Sequence, residues 1–115
     1  MDPIIYKITP KDAWQSAKAK GVFEGAPIDL SDGYIHFSTA DQARETAAKH
    51  FADQDDLLLV AINAVALGDA LKWEPSRGGA LFPHLYAHLT MEHVLWEKPM
   101  PLDKNGVHQM PLENT

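Results

Sequence analysis

Two short segments concentrate the side chains that could bind or transform a ligand. Trp73-Glu74-Pro75-Ser76-Arg77-Gly78-Gly79-Ala80-Leu81-Phe82-Pro83-His84-Leu85-Tyr86 places a cation, two adjacent glycines, a histidine and three aromatics in fourteen residues. Asp32-Gly33-Tyr34-Ile35-His36-Phe37-Ser38-Thr39 has the same character. A neutral imidazole offers one donor and one acceptor, so His36 and His84 could each hydrogen-bond a ligand. Arg77 could hold an anion through its fork of N–H groups, and the bare backbone at Gly78-Gly79 could approach it closely. Together the segments predict a pocket for a small-molecule or nucleotide ligand.

Strand alternation sorts these residues onto faces. Residues two apart share a face, so Ile35 and Phe37 point one way and Tyr34, His36 and Ser38 the other. Pro83 biases Phe82 away from helix. An extended run then puts Phe82, His84 and Tyr86 on one face, a stacking surface for a base or a nicotinamide. Structural alternatives stand beside each reading. His36 could be a surface or hydrogen-bonded core histidine, the three rings a core facet, and Gly78-Gly79 a plain turn. His84 and His88 have the i,i+4 spacing of metal ligands on a helix, with His36 or Glu92 as a third. Pro83 opposes helix at that point, and no metal is expected. Ser38 and Ser76 lie in no nucleophile elbow. His50, His93 and His108 show no partner pattern and read as surface residues.

The elements that must carry these segments are legible from periodicity and punctuation. Residues 4–8 read as a strand, with Thr9 capping a helix over residues 10–20 that buries Trp14 and Ala17 and stops at Gly21. Residues 22–31 read as an irregular connection, Asp32-Gly33 as a turn, and residues 34–37 as a strand. Ser38 or Thr39 begins a second helix over residues 40–51, Ser38-Thr39-Ala40-Asp41 loosely fitting a capping box, with Ala43, Ala47 and Phe51 as its buried stripe. Residues 57–62 are apolar throughout, as in a strand covered on both sides. A turn at 66–69, strands at 71–74 and 92–97, and a short strand at 107–112 complete the pattern. This order predicts an α+β fold in which two helices pack on antiparallel-rich sheet, in a single domain spanning 1–115.

Composition narrows the function classes. The chain has 115 residues, 45% hydrophobic and 23% charged, the balance of an ordinary globular domain. It contains no cysteine, which excludes disulfides, thiolate metal sites and cysteine nucleophiles. Ten Lys and Arg stand against sixteen Asp and Glu, a net charge of −6, and the cations are scattered. General nucleic-acid binding is therefore disfavoured. Met1-Asp2-Pro3 opens no signal peptide and no apolar run reaches membrane-spanning length, so a cytoplasmic protein is expected, with no membrane partner.

The two segments, with His50-Phe51, Ile5-Tyr6-Lys7-Ile8 and Trp14, resemble a bacterial family, the domain-of-unknown-function family 952. That family is similar in fold to the ADP-ribosyltransferases. The similarity implies a split, antiparallel-rich β-sheet core with NAD bound in the cleft between two half-sheets. It implies that His36-Phe37-Ser38 stands where a His-Gly-Ser/Thr motif holds the nicotinamide ribose and carboxamide, with Phe37 replacing the glycine. His36 would bond the ribose, Ser38 would orient the same end, and Tyr86 or Phe82 would stack on nicotinamide. Arg77 would clamp the pyrophosphate, with Gly78 beside it. The late glutamate of many transferases has no secure equivalent, Glu92 and Glu97 lying in about the right region. RNA 2′-phosphotransferases are relatives that use histidine and arginines instead, for which His36, Arg77 and His84 are the nearest analogues. Arg44 joins them only if its helix end faces the cleft. The implied activity is ADP-ribosyl transfer or NAD cleavage; the alternative is a non-catalytic binding module on the same scaffold.

Overall fold

The computed structural model describes residues 3–76 and 79–112. Arg77 and Gly78 lie outside the described residues. The chain is α+β, and its strands pair antiparallel throughout. One sheet has the order β1-β4-β8, from β1 (Ile4–Pro10), β4 (Leu57–Asn63) and β8 (Val94–Pro99). A second has the order β3-β6-β5, from β3 (Ile35–His36), β6 (Leu81–Leu85) and β5 (Leu71–Pro75). A ribbon of β2 (Val22–Phe23) and β7 (Leu89–Thr90) stands beside them. The two larger sheets meet where Tyr6 and Ser38 exchange backbone bonds of 2.8 and 2.9 Å.

The apolar run of β4 follows from its position in the middle of its sheet. Leu58, Val60 and Ile62 pack into one core with Trp14, Phe23, Ile35 and Leu85. Leu57, Leu59 and Ala61 pack into a second with Tyr6, Ala43 and Ala47. Both faces are dry, so neither strand face needs polar residues.

Helix α1 (Lys11–Lys20) buries Trp14 and Ala17 as its spacing predicts. It ends at Gly21, whose φ of 91° lets its N–H reach the Ala17 carbonyl. Thr9 does not cap it. The strand runs on to Pro10, which holds the cap position, and Thr9 is wholly buried within β1. Helix α3 (Ala40–His50) is capped by Thr39 rather than Ser38. Thr39 Oγ1 accepts from the Gln42 amide at 3.3 Å, while Gln42 Oε1 accepts from the Thr39 amide at 3.0 Å. Gln42 also donates to the Leu81 carbonyl at 2.7 Å, tying α3 to β6. Thr39→Ala should therefore cost about 1 kcal/mol, read as a lower chemical-denaturation midpoint.

Three α-helices are present among the described residues, not two. The segment read as an irregular connection forms β2 and a six-residue helix, α2 (Pro27–Asp32). Pro27 starts α2 without losing a needed N–H, and Gly33, with φ of 88°, ends it, so the turn expected at Asp32-Gly33 is the one that closes this helix. The strand expected from Glu92 begins at Val94, after a 3-10 turn over Met91–His93. The short strand expected near 107–112 reduces to a single bridge between Leu102 and His108. No helix among the described residues is long and apolar enough to cross a membrane.

Candidate functional site

The register of the second sheet assembles the site. His36 on β3 lies directly opposite His84 on β6, and Glu74 on β5 opposes Phe82. Ile35 and Phe37 turn into the core, which sends Tyr34, His36 and Ser38 toward the other side. Leu85 likewise enters the core while Phe82 and His84 face the same opening. That opening is a cleft of about 470 Å³, walled by Ile28, Phe51, Phe82 and Ser76 and floored by Tyr34, His36 and His84.

Tyr34 is the hub of the floor. Its ring stacks on His84 with centroids 4.2 Å apart and an interplanar angle of 27°. It leans on His36 at 4.7 Å and on Tyr86 at 5.2 Å. Burial first, then the charges of Asp32 and Glu74, push its hydroxyl pKa up, which keeps it protonated.

Each histidine is oriented by carboxylate. His84 Nδ1 lies 2.8 Å from Glu74 Oε1, which also accepts from the Tyr86 hydroxyl at 2.8 Å. These bonds, from His84 and then Tyr86, hold the Glu74 carboxyl below its usual range, and the same bond raises Tyr86. His36 Nδ1 lies 2.6 Å from Asp29 Oδ1, and His36 Nε2 lies 2.9 Å from Asp32 Oδ2.

Behind His36 sits a buried ion pair. Lys7 is 4% exposed and Asp29 2%, and Lys7 Nζ lies 3.0 Å from Asp29 Oδ2. Asp29 also accepts from the amides of Ala26 at 2.8 Å and His36 at 3.0 Å. Lys7 donates in turn to the His36 carbonyl at 2.9 Å. Burial alone would raise the Asp29 pKa. The His36 bond, the Lys7 charge and the two amides outweigh it and hold the carboxyl at about 2. Burial lowers the Lys7 pKa, against the opposing pull of Asp29.

The family is decided by the sequence profile of DUF952, a protein family of unknown function, which matches residues 8–97. The chain belongs to this family. It is also similar to protein CC0527 from Caulobacter crescentus. The X-ray structure of CC0527 is 53% identical, with a TM-score of 0.89 over 92% of this chain and 93% of that one. Its solution NMR structure is 50% identical, with a TM-score of 0.86 over 97% and 100%. No curated protein matches the chain.

Within this DUF952 fold, His36, Ser38, Phe82 and His84 converge on the cleft as the alternation predicts. Ser38 shares a 3.1 Å hydroxyl contact with Thr46. Tyr86 stands off the cleft and lines a second cavity of about 280 Å³ across Tyr34. Arg44 is exposed on α3 and Glu97 accepts from Trp14 and Lys18, so neither belongs to the ring cluster. Glu92 is exposed beside His93. His50 is exposed, as read, and also lines the cleft, whereas His108 is buried against the Gln54 carbonyl at 2.9 Å and is not a surface residue. His84 lies on a strand, where i,i+4 residues do not converge on one ion. No metal-binding group of three or more His, Asp or Glu occurs among the described residues. Lys7, Asp29, Asp32 and Glu74 receive no site role from the sequence, and Tyr34 is only placed on the face of His36. One signal was present: Lys7 interrupts the apolar run Ile4-Ile5-Tyr6-Lys7-Ile8, and a charge there needs a buried partner.

Proposed function

We propose that the cleft binds a nucleotide-type ligand, NAD first among them, and that its chemistry is transfer or cleavage at the ribosyl carbon. The observation that carries this reading is the ring floor of Tyr34, His36 and His84 opening into a cleft of about 470 Å³. A flat ring with polar edges fits such a floor, and the apolar walls of Ile28, Phe51 and Phe82 suit the remainder. The resemblance of His36-Phe37-Ser38 to the ribose-holding motif of ADP-ribosyltransferases supports the choice of nucleotide. Phe37, in place of the motif's glycine, is packed in the core and also lines the cleft, so the approach of a nicotinamide there depends on its backbone groups.

In this reading His36 bonds a ribose hydroxyl and Ser38 orients the same end. Glu74, held ionised by its bonds to His84 and Tyr86, lies outside the residues that line the cleft and would act on a cation-like ribosyl transition state through the His84 ring that it orients. Arg77, next in sequence to the cleft-lining Ser76, would hold the pyrophosphate. Acceleration comes from orientation and electrostatics, with no covalent intermediate on the protein.

Incubation with NAD tests the proposal. The expected result is a saturable rise in melting temperature at millimolar NAD, as binding to the folded state requires, together with released nicotinamide. Neither effect at millimolar ligand would remove NAD as the ligand. One observation favours a second reading, a binding module without turnover: both ring nitrogens of His36 already face carboxylates. Saturable binding with no nicotinamide release would decide for that module.

A further inference from the structure

The nitrogen that His36 can offer to a ligand is set by Asp29, which does not line the cleft, and by Lys7, which braces Asp29 from the cleft lining. Asp29 is a carboxylate, an acceptor only, and its Oδ1 lies 2.6 Å from His36 Nδ1. A contact that short requires the proton on Nδ1. The Asp29 side chain is 1% exposed and cannot turn away to water. It is fixed from three further directions, by Lys7 Nζ and the amides of Ala26 and His36. Lys7 also holds the His36 carbonyl, so backbone and ring of His36 are tied to one buried pair. Asp32 is different. It sits at the end of the short helix α2, its side chain is 40% exposed, and its Oδ2 lies 2.9 Å from Nε2 on the cleft side. Both carboxylates are satisfied together only by the doubly protonated ring. When the ring is neutral one must yield, and the solvated Asp32 yields at the smaller cost.

We infer that Asp29, braced by Lys7, is a positioning residue that fixes neutral His36 as the Nδ1–H tautomer, and that Asp32 is the exchangeable cover over Nε2 that a ligand hydroxyl replaces. The inference rests on the cleft being the ligand site, and it deepens that reading by naming the atom that meets the ligand. Nε2 is presented as an acceptor, so the partner is a hydroxyl or N–H donor such as a ribose. The other groups facing His36 are Tyr34 beside it and His84, with its partner Glu74, on the neighbouring strands.

Histidine-ring nitrogen–proton correlation NMR tests this on the full chain without any ligand, at a pH where the ring is neutral. The expected spectrum shows His36 protonated on Nδ1 in the wild type and in Asp32→Asn. In Asp29→Asn the proton moves wholly or partly to Nε2, while the His84 signals stay in place. A wild-type or Asp32→Asn ring protonated on Nε2 would overturn the inference, and so would an Asp29→Asn tautomer identical to wild type. Should Asp29→Asn not fold, the wild-type and Asp32→Asn spectra still decide. Because no NAD is present, a failure of NAD binding leaves this result standing, and the reverse holds too. Where NAD does bind, Asp32→Asn should bind it at least as tightly as wild type. Weaker binding would make Asp32 a ligand contact and not a cover.

Discussion

Asp29→Ala is expected to destabilise the protein by roughly 3–5 kcal/mol, the largest effect of any polar substitution in the chain. The side chain is small, and its apolar contacts account for little of this. What is lost is the only counter-charge within salt-bridge distance of Lys7 among the described residues, and Lys7 is 4% exposed. The amides of Ala26 and His36 and the His36 ring lose an acceptor at the same moment. Urea unfolding measures the outcome as a large fall in midpoint at unchanged slope. Lys7→Met should cost less, about 1–3 kcal/mol, since Asp29 keeps three N–H partners when the ammonium is gone. The double variant Lys7→Met with Asp29→Leu should recover part of the single Asp29 loss, but not all of it. Removing both charges ends the desolvation cost, yet two partly buried amides remain without their carboxylate. Equal losses for Asp29→Ala and Lys7→Met would refute this asymmetry.

The same carboxylate sets an acid limit. Its folded pKa of about 2 lies below the ordinary value of 3.8, so the unfolded chain takes up the proton first as pH falls. Asp29 therefore contributes stability that is complete above pH 4 and disappears as the pH drops through about 2. The shift corresponds to about 2 kcal/mol. Asp29→Asn should flatten that part of the stability profile, which unfolding at stepped pH values can read.

How much of this was legible beforehand depends on how local each cause is. The buried strand β4 and the helices α1 and α3 were readable because their signals are periodic and close in sequence: a two-sided apolar run, Trp14 with Ala17, Ala43 with Ala47. Helix α2 was not. Six residues carry no period, and Asp29, which holds the helix start through Ala26, is itself held by Lys7, 22 positions away. The cap at Thr9 failed for a related reason. Pairing of Thr9 with Leu58 and Pro10 with Leu57 carries β1 two residues further than local propensity suggests. For the site, alternation placed His36 and His84 on the correct faces. It could not supply their pairing, which depends on the register between β3 and β6. Glu74 was visible as part of an alternating strand, but its bonds to His84 and Tyr86 both cross from β5 to β6 or the residue just past its end, and no spacing announces them.

Tyr34→Ala should abolish the ring floor and with it roughly 1–3 kcal/mol of affinity for a nucleotide-type ligand, up to about 150-fold in Kd. The ring stacks on His84, leans on His36 and Tyr86, and lines both the cleft of about 470 Å³ and the second cavity of about 280 Å³. Its removal joins the two spaces and frees both imidazoles from the surface they pack on. Tyr34→Phe separates stacking from hydrogen bonding, since it keeps the ring and deletes only the hydroxyl. If stacking carries the affinity, Tyr34→Phe binds like wild type in a calorimetric titration while Tyr34→Ala does not. Should both variants lose affinity equally, the hydroxyl is the contact and the ligand lies at the ring edge. A folded Tyr34→Ala that binds as tightly as wild type would place the ligand elsewhere in the cleft, against Phe82 and Phe51. Thermal denaturation run on the same samples keeps these outcomes apart from a loss of fold, because affinity per folded molecule, and not total binding, is the quantity that the stacking argument predicts.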